Sequence, residues 1–295
     1  MSHADPSEAL ERKRSTAGIF HRASSIYDRV GPNIFAYFGR QLVSHVTFPP
    51  HARVLDVASG RGAVLFPASE ALGSQGFVTG IDLAEGMTQE TIREITQRGL
   101  TNAEIRLMDA EHLDFPDETF DVVLCGFALF FFPQLERALA EFRRVLKTGG
   151  RVAVSTWGNQ FDDDWDWVKE LAQKYLPPAT QEEQASSSSD EPDFDTPEGM
   201  HLIFESAGFT DIQTRAEVAE FKYETLEEWW ESLWSHGGRG RLERIEKKGG
   251  PETLARFKNE WMEQMKMRRG SEYQQPFEVL YTLAINPSFK ERKVR

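Results

Sequence analysis

The sequence VLDVASGRG, residues 54–62, decides the fold. An apolar run predicts a buried strand, and Ala58, Gly60 and Gly62 then predict a tight turn into a helix. Small residues in such a turn let the backbone approach a ligand closely, and the N-terminus of the helix offers N–H groups without partners. A nicotinamide dinucleotide site would require G-x-G-x-x-G, but the position of the third glycine holds Leu65. The stretch therefore predicts a strand–turn–helix that binds a ligand without the dinucleotide fingerprint.

Short β-rich runs alternate with helical patterns on both sides of this stretch, which is typical of a parallel sheet covered by helices. Strands are predicted at Arg53–Val57, Gly76–Ile81, Glu104–Met108, Phe120–Gly126, Arg151–Trp157, 209–223 and 276–285. Helices are predicted at 61–73, 85–98, 134–147 (ended by Thr148-Gly149-Gly150) and 196–207. We expect an α/β fold with a Rossmann-like, mostly parallel seven-stranded sheet whose last strand is antiparallel.

The remaining segments suggest how the chain is divided. We expect an N-terminal helical cap or lid at 1–50, a ligand-binding core at 51–160, a helical segment at 161–208 and the last two strands within 209–295. A Pro/Ser/acid-rich stretch at 177–193 predicts a mobile loop, and a helical insertion is expected at 225–269, before the last strand. The amphipathic N-terminal segment could pack on the core or close over a ligand, and both alternatives stay open.

Three carboxylates stand at the ends of successive predicted strands: Asp56, Asp82 in GIDLAEGM and Asp109 in MDAEHLDFPDETFD. The carboxyl ends of parallel strands meet at one edge of the sheet, where open α/β proteins bind ligands. Asp82 can accept both hydroxyls of a ribose, and Asp109 can meet the amine of an adenine. Each aspartate alone could instead cap a turn or helix, but three in succession favour an adenosyl ligand.

With these motifs, the stretch from Val54 to Trp157 resembles the class I S-adenosylmethionine-dependent methyltransferases, especially the ubiquinone/menaquinone C-methyltransferase-like branch. Ala58 fits the D-x-A-x-G-x-G turn of that branch, and its N-terminal F-x-x-x-A-x-x-Y-D pattern is approached by Phe20, Ala23, Tyr27 and Asp28. The resemblance implies S-adenosylmethionine as cofactor and S-adenosylhomocysteine as product. It weakens beyond residue 160, where the acceptor is normally chosen.

The resemblance also implies which residues bind the cofactor. Asp56 and Gly60 would face its methionine part, Asp82 the ribose, Asp109 and Ala110 the adenine, with Tyr27 near the sulfonium. The full set expected to bind it is Tyr27, Asp56, Ala58, Gly60, Gly62, Asp82, Leu83, Met87, Asp109, Ala110, Glu111, Cys125 and Phe127.

Methyl transfer from a sulfonium is an in-line displacement that depends mainly on placement, and a base is needed only if the acceptor must lose a proton. Some relatives carry a histidine near the end of the fourth strand, in a run resembling A-L-H-W. This chain has Ala128-Leu129-Phe130-Phe131 instead. The candidates left for a catalytic base are His21 and His236, each in a segment that could form a lid.

Aromatic residues are concentrated after the core strands and in the insertion. Those expected to line the acceptor pocket are Phe20, Phe130, Phe131, Trp157, Trp229, Trp230 and Trp234, although for most of them the core of an irregular cap is the simpler interpretation. They favour an apolar or aromatic acceptor of natural-product or quinone type. The basic run at 239–248 is either a solvated helix face or a clamp for an anionic group.

The composition of the chain limits which classes of partner we expect. A net charge of −13 disfavours nucleic acid, and the single cysteine, Cys125, fits a reducing compartment. No apolar run of about 18 residues predicts a membrane span, so we expect a cytoplasmic protein with a small-molecule acceptor. Ligand spacing for a metal is missing, and we expect the acidic run at 162–166 to be solvated. The alternatives are a nicotinamide-dependent oxidoreductase and a non-catalytic regulatory protein that binds the cofactor; oligomeric state cannot be read.

Overall fold

A computed structural model describes residues 6–161, 165–176, 193–270 and 272–287 of the chain. The strands are β1 Arg53–Val57, β2 Phe77–Asp82, β3 Ala103–Leu107, β4 Phe120–Gly126, β5 Leu146–Trp157, β6 Thr210–Lys222 and β7 Gln274–Ile285. The described α-helices are α1 Pro6–Ala23, α2 Ile34–Ser44, α3 Leu65–Leu72, α4 Glu85–Gln97, α5 Leu135–Val145, α6 Asp166–Tyr175, α7 Pro197–Ser206, α8 Leu226–Trp234 and α9 Arg239–Arg269. Short 3-10 turns lie at Gly73–Gln75 and Leu129–Phe131.

The strands form one seven-stranded sheet in the order β3-β2-β1-β4-β5-β7-β6. The first five strands run parallel, and β7 lies antiparallel to both of its neighbours, which confirms the predicted fold class. Val54 pairs with Val78 of β2 on one side and with Val122 of β4 on the other. Strand order therefore reverses at β1, and the crevice at this reversal is where open α/β sheets bind ligands.

The two faces of the sheet carry separate apolar cores because successive strand residues point to opposite sides. On β1, Leu55 and Val57 point into a core shared with α5 and α7. Val54 points into the other core, which contains α2, α3 and the apolar side of the α8–α9 insertion. With both faces covered, the carboxyl edge of the sheet is left to carry a site.

The end of α5 differs from its prediction. The helix stops at Val145 and β5 begins at Leu146, so Thr148-Gly149-Gly150 lie within the strand and do not end the helix. The Gly149 N–H donates to the Asn286 carbonyl at 2.8 Å, and the Asn286 N–H donates to the Gly150 carbonyl at 2.9 Å. Pairing with the chain after β7 thus draws these residues into the sheet, a contact that local sequence does not reveal.

The helical insertion predicted at 225–269 consists of α8 and α9. Thr225 begins α8 by accepting the Glu228 N–H at 3.0 Å, and Gly250 (φ +74°) kinks α9 just before Pro251. Of the predicted loop at 177–193, all but Asp193 lies outside the described residues. Among the helices that are described, none is long and apolar enough to cross a membrane.

Candidate functional site

A cavity of about 780 Å³, counting its open mouth, lies at the carboxyl edge of the central strands. Ligand pockets in proteins are lined mainly by apolar side chains with a few placed polar groups, and the lining of this cavity has that character. Helix α1 roofs the cavity. Its lining residues are Lys13, Thr16, Ala17, Phe20, Tyr27, Ala58, Gly60, Ile81, Asp82, Leu83, Ala84, Met87, Met108, Asp109, Ala110, Gly126, Phe127, Ala128, Phe131, Phe132 and Pro133.

The turn after β1 forms the floor. Ala58 and Gly60 both have φ +53°, a left-handed conformation that favours glycine, and both line the cavity. A Cβ added to Gly60 would meet no protein atom within 4 Å, so the backbone there faces open space. Gly62 has another role, because its added Cβ would lie 2.5 Å from the Phe66 ring. Gly62 therefore lets the turn pack on α3 and does not line the cavity.

Asp82 is held at the cavity wall by backbone N–H donors. The Gly60 N–H donates to Oδ2 and the Ala84 N–H donates to Oδ1, each at 2.8 Å. Burial raises the pKa of Asp82 to about 6, against the lowering effect of these hydrogen bonds. A carboxylate oxygen has two lone pairs, so each oxygen can still accept a hydroxyl from a ligand. The side chain thus fits the diol of a ribose.

Asp56 lies beneath the turn and outside the cavity lining. It is 1% exposed, and its Oδ2 accepts the Ser59 hydroxyl at 2.6 Å while Oδ1 is buried without a hydrogen bond among the described residues. Burial raises the pKa of Asp56 to about 7. The resemblance implies that Asp56 faces the methionine part of the cofactor; in this position it supports the turn from beneath through Ser59, and contact with the cofactor stays a prediction.

Asp109 carries a partner that the sequence did not indicate. Lys13 of α1 places its Nζ 2.7 Å from Asp109 Oδ2 and 2.5 Å from Oε2 of Glu111, whose side chain is fully buried. Burial would raise the pKa of Asp109, but the hydrogen bonds from Lys13 and from the Glu111 N–H hold it below its usual value. Lys13 therefore ties the roof helix to the end of β3, and Glu111 serves this tie and does not line the cavity.

The other half of the cavity is aromatic. Phe20 packs edge-on against Tyr27 and Phe131, with ring centroids 6.0 and 5.2 Å apart. Tyr27 stacks on Phe35 at 5.3 Å, and Phe35 meets the edge of Phe127 at 5.5 Å. Burial, reinforced by the nearby Asp28 and Asp82 charges, raises the pKa of Tyr27, so its hydroxyl stays protonated at neutral pH.

Several residues predicted for the site lie elsewhere. Cys125 is fully buried in the core that contains α5 and α7, and it does not line the cavity. Trp157 lies behind Phe127, with 4.3 Å between their ring centroids. Phe130 packs against the same core as Trp157, and Trp234 lies beneath the Arg239 guanidinium, 5.4 Å away. The prediction that these four side chains line the site is therefore not matched by their positions.

Trp229 and Trp230 form the core of the insertion and not the pocket wall. Each is 2% exposed. Trp229 stacks on Tyr223 at 4.4 Å, and Trp230 lies 5.6 Å from Trp261. Because their rings are fully used in packing, the simpler of the two interpretations of the tryptophans describes this pair.

The two histidines considered as bases lie outside the lining. His21 is exposed, and its Nδ1 accepts the Gly86 N–H at 3.0 Å, which joins α1 to α4. His236 lies between α8 and α9, with its ring 6.3 Å from Phe35, which stacks on the cavity residue Tyr27. Catalysis by either residue stays a prediction.

Part of the lining was not predicted from the sequence. Gly126, Ala128, Phe132 and Pro133 belong to the run VVLCGFALFFFP that was placed at the sheet edge, so position alone could have indicated them. Lys13, Thr16 and Ala17 had no such signal, because a charged helix does not reveal what it covers. Within the described part of the chain, no group of three or more His, Cys, Asp or Glu could hold a metal. Asp162–Asp164 of the acidic run lie outside the described residues.

Comparison with known proteins identifies the same core. A methyltransferase domain family matches residues 54–150. The chain is 44% identical over 144 residues to aklanonic acid methyltransferase DauC of a Streptomyces species, a match that covers 49% of this chain and 66% of the relative. The chain thus spans slightly less than two thirds of that relative.

The chain covers a larger share of a second relative. The chain is 33% identical over 172 residues to the ubiquinone/menaquinone biosynthesis C-methyltransferase UbiE of Burkholderia ambifaria, which covers 57% of this chain and 69% of the relative. Among solved structures, the YcgJ protein of Bacillus subtilis superposes with a TM-score of 0.57 at 17% identity, over 85% of this chain and 99% of that one, and it supports the fold alone. On the match to UbiE and the family domain, the chain belongs to the class I S-adenosylmethionine-dependent methyltransferases.

Proposed function

We propose that this protein transfers a methyl group from S-adenosylmethionine to a small apolar or aromatic acceptor of natural-product or quinone type. The observation that carries the proposal is the continuity of one cavity from the Asp82–Asp109 end to the rings of Phe20 and Phe131. A polar end suits the adenosyl part of the cofactor, and an aromatic end suits an apolar acceptor.

The polar end offers what an adenosyl group requires. Asp82 presents acceptor lone pairs to a ribose diol, Gly60 leaves room for close approach of a ligand, and Asp109 lies where an adenine amine can be met. Ala110 and Met87 add apolar surface to the lining. These residues fit the cofactor, and their roles in binding it are part of the proposal.

When bound, S-adenosylmethionine supplies a methyl carbon already activated by a positive sulfur. The protein has to orient the acceptor in line with that carbon and keep competing water away. Well-oriented reactants gain roughly 7–11 kcal/mol from proximity alone. The α1 roof, tied down through Lys13, encloses the site, and the faces of aromatic rings can attract the cation by about 0.5–2 kcal/mol.

Among the described residues, the cavity wall offers no unassigned base. The ionisable side chains that line it are Lys13, Tyr27, Asp82 and Asp109. Lys13 is paired with two carboxylates, the pKa of Tyr27 is raised, and the two aspartates are assigned to the cofactor. We therefore expect the acceptor to bring its own nucleophile, such as a carboxylate, an acidic phenol or the carbanion of a 1,3-dicarbonyl.

The relatives support this substrate class without fixing the acceptor. The name of one relative refers to aklanonic acid, and that of another to ubiquinone and menaquinone biosynthesis. We extend to this chain only the general type of acceptor, a natural product or a quinone. O-methylation, N-methylation and C-methylation all remain compatible with the cavity.

The proposal is tested by incubating the protein with S-adenosylmethionine that carries a deuterated methyl group and a panel of aromatic carboxylates, phenols and 1,3-diketones. Mass spectrometry should find the labelled methyl on at least one of these classes. The Gly60→Ala variant, which narrows the cofactor end, should form less of the same product. Product formed equally without the protein, or in equal amounts by the variant, would contradict the proposal.

A further inference from the structure

The most informative group outside the cavity lining is His236, in the short link between α8 and α9. We infer that His236 provides a polar contact at the aromatic end of the cavity, which Phe20, Tyr27 and Phe131 line, and that its Nε2–H donates a hydrogen bond to an oxygen of the acceptor. The inference rests on the proposed function and adds to it the kind of group that the acceptor must present.

The link that carries His236 lies against the aromatic end of the cavity. A Cβ placed on Gly237 would be 3.9 Å from the Cζ atoms of both Phe20 and Phe131, two rings that line the cavity. The His236 ring lies 6.3 Å from Phe35, which stacks on the cavity residue Tyr27. The histidine thus stands next to the aromatic end and away from the Asp82–Asp109 end.

The orientation of the ring assigns its proton. The Gly238 N–H donates to His236 Nδ1 at 3.2 Å, so Nδ1 acts as an acceptor. A neutral imidazole carries its proton on the other nitrogen, which makes Nε2 the donor. Across the described residues, no hydrogen bond to Nε2 is found, and the residue is only half-buried. The donor therefore has no partner among the described side chains, and a ligand oxygen would supply one.

The charge state favours a donor over a base. Burial lowers the pKa of His236 to about 4, so the ring is neutral at physiological pH. With Nδ1 held by the Gly238 N–H and the proton on Nε2, the group that can meet an acceptor is an N–H and not a lone pair. This arrangement suits a carbonyl, phenolate or carboxylate oxygen on an otherwise apolar ring system, and it agrees with an acceptor that supplies its own nucleophile.

The inference is tested with two matched probes, the aromatic ketone 1-tetralone and its carbonyl-free counterpart tetralin. Affinities are measured by calorimetry on the full chain saturated with S-adenosylhomocysteine. The variants are His236→Phe, which removes the donor, and His236→Gln, which keeps an N–H donor. His201→Phe, on the exposed surface of α7, is the matched control.

We expect His236→Phe to weaken binding of 1-tetralone about tenfold, since an unmade hydrogen bond leaves the carbonyl without a partner. Binding of tetralin should stay within about twofold, as should all affinities in the control. His236→Gln should keep most of the preference for the ketone.

Equal losses for the two probes, an unchanged affinity for 1-tetralone, or no binding of either probe to the loaded protein would overturn the inference. Failure of S-adenosylhomocysteine to bind the unaltered chain would instead overturn the proposed function beneath it. S-adenosylhomocysteine bound equally well by the unaltered chain and His236→Phe keeps the two outcomes apart.

Discussion

Gly60 and Gly99 offer a matched pair of glycines for testing where the ligand lies. Both have left-handed φ values, +53° and +63°, and an added Cβ would meet no protein atom within 4 Å at either position. Gly60 lines the cavity, whereas Gly99 follows α4 and does not. Replacing each glycine by alanine therefore applies the same backbone strain, but only the Gly60 variant adds a methyl group to the cavity lining.

The strain sets the effect on stability. Placing alanine in the left-handed region costs roughly 1–2 kcal/mol, and the smaller entropy of the unfolded chain offsets about 0.4–1 kcal/mol of that. We expect each variant to lose about 1 kcal/mol of unfolding free energy, equivalent to a fall of roughly 2 °C in the melting temperature. The two losses should agree closely.

The effect on binding depends on the methyl group that is added at Gly60. At Gly60 the new methyl group projects into the cavity, and overpacking by a methyl group typically costs 1–3 kcal/mol, so we estimate about 10-fold to 100-fold weaker binding of S-adenosylhomocysteine. At Gly99 the affinity should stay within about twofold.

The assay is calorimetric titration with S-adenosylhomocysteine together with thermal unfolding of the ligand-free proteins. If Gly60→Ala binds as tightly as the unaltered chain, or if Gly99→Ala loses as much affinity, the turn after β1 does not contact the ligand and the placement is wrong.

Three further predictions follow from other parts of the structure. Lys13→Met should lower the unfolding free energy by about 2–3 kcal/mol because it leaves the buried Glu111 carboxylate without its cationic partner. Lys147→Met breaks an ion pair of the same 2.7 Å length whose lysine is 44% exposed, and it should cost at most about 1 kcal/mol. Equal losses in urea denaturation would refute the role of Lys13 in fastening α1 to the core. Burial raises the pKa of Asp82 to about 6, and the ionised carboxylate is the form that accepts the ribose hydroxyls. Affinity for S-adenosylhomocysteine should therefore be constant above neutral pH and fall as the pH drops through 6, approaching about tenfold per pH unit. A flat affinity profile in titrations between about pH 5 and pH 8, or the same slope in Asp82→Asn, would contradict this. Trp229→Leu should cost about 3 kcal/mol of stability with little change in that affinity, since its ring packs inside the insertion; a large loss of affinity in the folded variant would return this tryptophan to the site.

The core of the fold was predictable because its signals are local. The turn after β1, with Asp82 and Asp109 at the ends of the next two strands, specifies both the parallel order and the edge that carries the cavity. The end of α5 was not predictable, since Thr148 and the two following glycines are drawn into β5 by the distant Asn286.

The cavity was harder to predict where it depends on packing between distant segments. A sequence pattern cannot tell which aromatic rings face a pocket and which face each other, so Phe20 and Trp229 looked alike although only Phe20 lines the cavity. Lys13 gave no signal at all, because its two partners lie about a hundred residues further along the chain. Such contacts follow from the tertiary fold and not from local spacing.

The central claim is that the cavity holds an adenosyl cofactor, and calorimetric titration with S-adenosylhomocysteine tests it most directly. We predict saturable 1:1 binding by the unaltered chain, strongly weakened in Asp82→Ala, while NADH fails to bind. Tighter binding of NADH, or S-adenosylhomocysteine affinity that is unchanged in Asp82→Ala, would contradict the account.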